Sequence, residues 1–130
     1  MHWDLIPANP ARRTQPPAVS RPHHRTWTPE QVRQFLNFTA GDPLHAAFRL
    51  ACTTGMRRAE ILGLRWADVD LDAGHVTINQ TLVSVSYELR FSEPKTGRSR
   101  RTIPLDRTTV RVLRRHRTTQ ARQRLEADQP

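Results

Sequence analysis

A short segment near the middle of the chain combines an arginine and a carboxylate at the predicted start of a helix. Arg57 follows a break at Gly55, and Glu60 comes three residues after the arginine. A phosphodiester under attack gains negative charge, and a planar, permanently charged guanidinium can bind two of its oxygens at once. Glu60 can hold Arg57 or Arg58 by a salt bridge. The alternative is an ordinary surface Arg–Glu pair, which is common on helices and weak.

Lys95 is the only lysine among the 21 basic residues of the chain. It begins the turn-like segment 95–98, where Gly97 permits the backbone of a hairpin tip. A lysine can donate a proton to a departing alkoxide, whereas an arginine practically cannot. The alternative is chance, because turn tips tolerate lysine. Whether or not Lys95 is functional, neighbouring arginines would bind the hairpin to a polyanion. They are Arg98, Arg100 and Arg101.

Helices are expected to position the first of these groups. Thr28 suits an N-cap, with Pro29 at the first helical position and Gln31 able to close a capping box. A second helix opens at 41–43 and ends at Gly55. A third, short helix over 59–64 is expected to be buried, and three apolar side chains would anchor this segment in the core. They are Leu62, Leu64 and Trp66.

Alternating residues then predict strands at 75–79, 81–85 and 101–105. We expect them to form one small antiparallel sheet of three strands. Asp106 is expected to cap a final helix whose apolar face carries Val110, Leu113, Ala121 and Leu125. Its other face carries Arg107, Arg111, Arg114, Arg115, Arg122 and Arg124. The fold class predicted is α+β, mainly helical with this three-stranded sheet.

Composition points to a polyanionic partner. The net charge is +9 and the isoelectric point is about 11.5, which favours nucleic acid, with an arginine-rich composition bias as the alternative. Prolines and arginines interleave over 11–26, which predicts an extended basic linker. It is either an untethered tail or a strap along a phosphate backbone, in which Arg12 and Arg13 are the first candidate DNA contacts. No apolar stretch is long enough for a membrane span, so no membrane partner is expected and the cytoplasm is the default location. Cys52 is expected to be a small buried residue.

Two boxes of the chain resemble those of the tyrosine recombinases, the phage-integrase family. The first is the run of Thr54, Gly55, Met56, Arg57, Glu60, Leu64, Trp66 and Asp68. The second is 92–96 followed by 101–105, which is similar to the lysine hairpin of that family. The resemblance covers roughly 27–126 as the N-terminal part of a catalytic domain, with a tail at 127–130. Residues 1–10 are weakly similar to the end of the preceding core-binding domain.

The resemblance implies roles for particular residues. Arg57 matches the arginine that binds the scissile phosphate, and Glu60 matches the acidic residue that supports it. Lys95 matches the lysine that protonates the departing 5′ oxygen. The implied reaction is transesterification on double-stranded DNA through a 3′-phosphotyrosyl intermediate, with no metal and no nucleotide cofactor.

The rest of the family pattern is missing from these 130 residues. No His-x-x-Arg box and no tyrosine follow Lys95, and Tyr87, the only tyrosine, precedes it. We therefore expect the N-terminal half of a catalytic domain, from a broken gene or a truncated product, which binds DNA but is inactive alone. One alternative is a non-catalytic regulator that occupies DNA sites or pairs with intact recombinase protomers. Another is an unrelated basic nucleic-acid-binding protein.

Overall fold

The computed structural model describes Thr14 and residues 25–92 and 100–127, and in these ranges the chain has an α+β fold. The helices are α1 (Pro29–Phe38), α2 (His45–Thr54), α3 (Arg58–Leu62) and α4 (Arg107–Ala127), and Trp66–Asp68 form a 3-10 turn. The strands are β1 (Val69–Asp70), β2 (His75–Ile78), β3 (Thr81–Val85), β4 (Glu88–Ser92) and β5 (Arg101–Pro104). The predicted fold class is confirmed. None of the described helices is both long and apolar enough to cross a bilayer.

The ends of the helices follow the predicted local signals. The Thr28 hydroxyl accepts a hydrogen bond from the Gln31 N–H at 3.3 Å, and the Gln31 side chain accepts one from the Thr28 N–H at 2.8 Å. Gly55 ends α2 with a φ of +64°, a left-handed conformation that favours glycine. Asp106 Oδ1 accepts the Thr108 and Thr109 N–H groups at the start of α4. The capping box and the cap of the last helix are therefore confirmed.

The predicted three-stranded antiparallel sheet is present, but 81–85 is not one of its strands. β2 pairs with β1 on one side and β5 on the other, all antiparallel, with Ile78 opposite Arg101 and His75 opposite Pro104. The segment 81–85 is a strand, but it pairs with β4 in a separate hairpin. The two residues that join these strands, Ser86 and Tyr87, have φ values of 51° and 66°. Their left-handed backbone allows a tight two-residue connection without glycine.

The β3–β4 hairpin is held against α3 through Gly63. The Gln80 side chain donates to the Gly63 carbonyl oxygen at 2.8 Å. A Cβ atom on Gly63 would lie 2.8 Å from the backbone nitrogen of Leu82 and 2.9 Å from Thr81. Two backbones therefore meet here at a separation that only glycine permits.

The core lies between α2, α4 and the three-stranded sheet. Its buried apolar residues are Ala46, Leu50, Met56, Leu71, Val76, Ile78 and Leu113. A polar connection joins α2 and α4 at the edge of this core. Arg49 donates to the Thr109 hydroxyl at 3.1 Å and pairs with Asp106 at 3.2 Å, and Thr109 is fully buried. This connection fixes the first turn of α4 against α2.

Three expectations about burial are wrong. Cys52 is exposed, because it lies about 200° around α2 from the buried Leu50. Leu62 is 54% exposed at the end of α3. The end of the predicted apolar face of α4 is also exposed, with Ala121 exposed and Leu125 68% exposed, because residues 121–127 extend beyond the helices and strands that cover Leu113.

Candidate phosphate-binding site

Arg57 is placed by the break between α2 and α3. Gly55 turns the chain, and Arg57 then takes an extended conformation, with φ −70° and ψ 149°, as the N-cap residue of α3. Its own N–H donates to Glu60 Oε2 at 2.7 Å, so the carboxylate satisfies one of the unpaired N–H groups at the helix start. The Arg57 guanidinium also donates to Glu60 Oε1 at 3.2 Å. Backbone and side chain of Arg57 are therefore bound by the same carboxylate.

A second arginine reaches the same carboxylate from the sheet. Arg101, the first residue of β5, donates from both terminal nitrogens to the two oxygens of Glu60, each at 2.9 Å. The Glu60 side chain is only 4% exposed, whereas that of Arg57 is 79% exposed. The buried carboxylate therefore supports one partly exposed guanidinium on the sheet, that of Arg101, and one that faces solvent, that of Arg57. A bidentate arginine–carboxylate pair also restricts the direction of both groups.

The arrangement determines the charge of the site. The bidentate hydrogen bonds from Arg101, supported by the hydrogen bonds from Arg57, lower the pKa of Glu60 from 4.5 to about 2 in spite of burial. Glu60 in turn raises the pKa of Arg101. At neutral pH the three groups therefore carry two positive charges and one negative charge. The excess positive charge is presented to solvent by Arg57, as binding of a phosphate would require.

Three of the other predicted site residues lie within the described ranges, and four lie outside them. Arg58 and Arg100 are exposed beside the elements that carry Arg57 and Arg101. The sequence suggested that Arg101 binds DNA, and the structure shows its guanidinium bound to Glu60. The remaining candidates, Lys95, Arg98, Arg12 and Arg13, lie outside the described residues.

A second ion pair supports the segment that follows α3. Arg65 forms a bidentate pair with Asp68 at 2.8 and 3.2 Å, and Asn79 donates to Asp68 at 2.7 Å. The hydrogen bonds from Arg65 lower the pKa of Asp68. The Trp66 indole N–H donates to Gln120 at 2.8 Å. These contacts join the end of the first box to the residue that follows β2 and to α4, so Asp68 and Trp66 have a structural role here.

Sequence reasoning missed the partnership of Glu60 with Arg101. The spacing of Arg57 and Glu60 pointed only to a local pair, whereas Arg101 lies 41 residues further along the chain. The alternation of side chains along β5 is a signal in the sequence that indicates this pairing. Arg101 starts a strand in which Ile103 faces the core, so its own side chain must also face inward and needs a buried anion.

The site presents an exposed arginine that is supported by a buried carboxylate within a small α+β fold. Such a site is suited to binding phosphate groups. The family model described as the phage integrase family matches residues 25–129, and the chain belongs to this family. A tyrosine recombinase XerC-like protein of Caldanaerobacter subterraneus subsp. tengcongensis is 30% identical over 111 residues, which are 78% of this chain and 28% of that protein. The ICEBs1 integrase of Bacillus subtilis is 23% identical over 117 residues, covering 88% of this chain and 32% of that protein.

Solved structures of an integrase also resemble this chain. The Tn1549 transposon integrase in complex with circular intermediate DNA superposes with a TM-score of 0.62 at 28% sequence identity, covering 68% of this chain and 30% of that one. A variant of that integrase with another circular intermediate DNA gives a TM-score of 0.64 at 26% identity. The chain thus spans about a third of the length of the relatives that it matches.

Proposed function

We propose that this chain is the phosphate-binding part of the catalytic domain of a site-specific tyrosine recombinase that acts on double-stranded DNA. The observation that carries the proposal is the pair of guanidiniums on one buried carboxylate, with Arg57 exposed to solvent. Relatives named as tyrosine recombinases, and an integrase solved with DNA, support the same assignment. Because the proposed substrate is DNA, we propose the cytoplasm as the location of the protein.

The proposed chemistry divides the reaction between residues of this chain and a tyrosine supplied from outside the two boxes. A tyrosine oxygen attacks phosphorus, the bond from phosphorus to the 5′ oxygen breaks, and a 3′-phosphotyrosyl bond forms. Arg57 binds non-bridging oxygens of the phosphate as charge builds on them, and Glu60 holds the guanidinium in place beforehand. Lys95 gives its proton to the departing 5′ oxygen.

These 130 residues are proposed to bind DNA without cleaving it. Tyr87 lies fully exposed in the turn between β3 and β4 and precedes both Lys95 and β5, unlike the nucleophile of the family. We expect no covalent protein–DNA complex when the chain is incubated with a nicked duplex that traps the intermediate. A covalent complex that disappears in Tyr87→Phe would contradict the division of roles. If Tyr87 is not the nucleophile, as we propose, strand cleavage requires the remainder of a catalytic domain, in the same chain or in an intact recombinase protomer.

The Arg57 role is tested by binding to a fluorescein-labelled duplex, followed by anisotropy at several salt concentrations. Arg57→Ala removes one phosphate contact, so the slope of log K against log salt should fall by roughly 0.9. Arg57→Lys keeps the charge and should keep most of the slope, while losing the planar contact. Equal slopes for the wild type and Arg57→Ala would reject phosphate binding by this residue. Circular dichroism of each variant checks that the fold is retained.

The role of Lys95 needs an intact recombinase that includes these residues. Lys95→Ala should slow cleavage of ordinary DNA while leaving DNA binding nearly unchanged. A substrate with sulfur in place of the 5′ oxygen has a leaving group that needs no proton, so it should restore cleavage by the variant. If the sulfur substrate is cleaved no faster than ordinary DNA by Lys95→Ala, the lysine is not the acid.

A further inference from the structure

Helix α4 carries a row of arginines that the phosphate site does not use. Successive residues of an α-helix are about 100° apart, so five of the seven arginines between 107 and 124 fall within an arc of about 100°. All five are exposed, and we call them the arginine face: Arg107, Arg111, Arg114, Arg115 and Arg122. Arg117 and Arg124 lie on other sides of the helix.

The rest of α4 fixes this face toward solvent. The opposite side of the helix contains Leu113 and Thr109, which are 3% and 0% exposed. Leu113 packs in the core, so this side of the helix is not available to insert into a lipid surface, as an amphipathic membrane helix requires; Leu125, near the end of the helix, is exposed. The face from Arg107 to Arg122 is therefore cationic and directed to solvent, which suits an extended polyanion.

Little negative charge compensates the arginine face. Arg114 donates to Asp72 at 2.7 Å and to the Leu71 carbonyl oxygen at 3.1 Å. Within the described ranges, no other ion pair involves a member of the face. Like charges three and four residues apart on a helix are destabilising, by about 0.2–0.5 kcal/mol per pair. Phosphates laid along the face would relieve this repulsion.

A cavity opens at one end of the face. Its volume is about 460 Å³, and Arg107, Arg111 and Arg114 line it together with the turn at 71–74. The Asp72 carboxylate also lines it and is paired with Arg114. From Arg107 to Arg122 the helix rises by roughly 22 Å, which is more than half of the ~34 Å turn of duplex DNA. The face therefore has both the length and the charge to follow several phosphates of one backbone.

The arginine face starts at the end of the sheet that is remote from Arg57. Arg101, which shares Glu60 with Arg57, lies opposite Ile78 at one end of the β2–β5 pair. At the other end His75 lies opposite Pro104, and the Leu105 N–H donates to the Gly74 carbonyl oxygen at 2.8 Å. The cavity adjoins this second end, so Arg107, Arg111 and Arg114, which line it, lie at the end of the strand pair opposite to Arg101.

We infer that the arginine face of α4 is a second DNA-binding surface, which binds the sugar-phosphate backbone of duplex DNA independently of Arg57. It reads no base sequence, because its contacts are with phosphates. It would extend the DNA contact of the chain beyond the phosphate at which the reaction occurs.

The test compares two double variants of equal charge in the full chain. Arg107→Gln with Arg111→Gln removes two members of the face that lie at the cavity. The control, Arg33→Gln with Arg124→Gln, removes two exposed arginines outside it. Glutamine is a good helix former, so both proteins should fold, and circular dichroism confirms this. The measurement is anisotropy with a labelled duplex of random sequence at several salt concentrations.

The variant of the face should lower the slope of log K against log salt by roughly 1.8 and weaken binding at low salt by about tenfold or more. The control should change both much less. Combining the face variant with Arg57→Ala should multiply the two losses, because separate contacts are additive in free energy. Equal slopes for the face variant and the control would overturn the inference. So would a combined loss no larger than either single loss, or an equal loss of binding to phosphatidylserine vesicles, which would indicate a general anion surface.

Discussion

Replacing Glu60 by Gln should reveal how much the shared carboxylate contributes to the fold. The pKa of Glu60 is lowered on folding from 4.5 to about 2, and this difference corresponds to about 3 kcal/mol of free energy of unfolding. Removal of one partner from a buried ion pair typically costs a similar amount, because the remaining charges lose their compensation. Glu60→Gln should therefore lower the free energy of unfolding by about 3 kcal/mol near neutral pH.

The pH dependence separates this effect from simple loss of packing. A carboxyl group with a lowered pKa stabilises the fold fully above its unfolded pKa of 4.5, and the contribution is lost as the pH falls toward about 2. The difference between the wild type and Glu60→Gln in urea unfolding should thus shrink from about 3 kcal/mol at pH 6 to about 2 kcal/mol at pH 3.5. Near pH 2 it should almost vanish.

A control distinguishes this carboxylate from others. Glu30 is exposed in the first turn of α1, and Glu30→Gln should change the free energy of unfolding by less than about 0.5 kcal/mol. The reasoning would be refuted if Glu60→Gln lost the same stability at pH 3 as at pH 6. The loss would then come from altered shape or hydrogen bonding of the side chain, and not from its charge.

Two further predictions concern glycines. Gly63→Ala should destabilise the fold by about 1–3 kcal/mol, because its Cβ would meet the backbones of Leu82 and Thr81 at 2.8 and 2.9 Å; thermal unfolding measures the loss. Gly55→Ala should cost about 1–2 kcal/mol, because its φ of +64° is unfavourable for alanine, although the new methyl group meets no atom within 4 Å. Gly41→Ala is the matched control, since Gly41 has equal space and no positive φ, and it should be nearly neutral in the same unfolding experiment.

The features that were predicted correctly depend on neighbouring residues. The capping box of Thr28 and Gln31 spans four residues, and the Asp106 cap acts on the two N–H groups that follow it closely. Gly55 at the end of α2 is likewise a local requirement for a left-handed residue. In each case the interaction partners lie within one turn, so composition and spacing contain the information.

The features that were missed depend on distant or unusual contacts. β1 has only two residues, too few for an alternating pattern, so its place beside β2 left no signal. The hairpin turn uses Ser86 and Tyr87 at positive φ, where glycine or asparagine would have marked it. The pairing of Glu60 with Arg101 arises only when β5 lies in the sheet, and no local spacing encodes it.

The register of β2 and β5 has a consequence for how the site could fail. Side chains alternate between the two faces of a strand, so a slip of β5 by a single residue would turn residue 101 toward the opposite face. Glu60 would then keep only its contacts with Arg57, and the guanidinium would lose the rigid support of the sheet. A chain with an intact sequence but a misaligned strand would therefore orient Arg57 less precisely, which makes correct strand pairing a precondition for the phosphate contact that we propose.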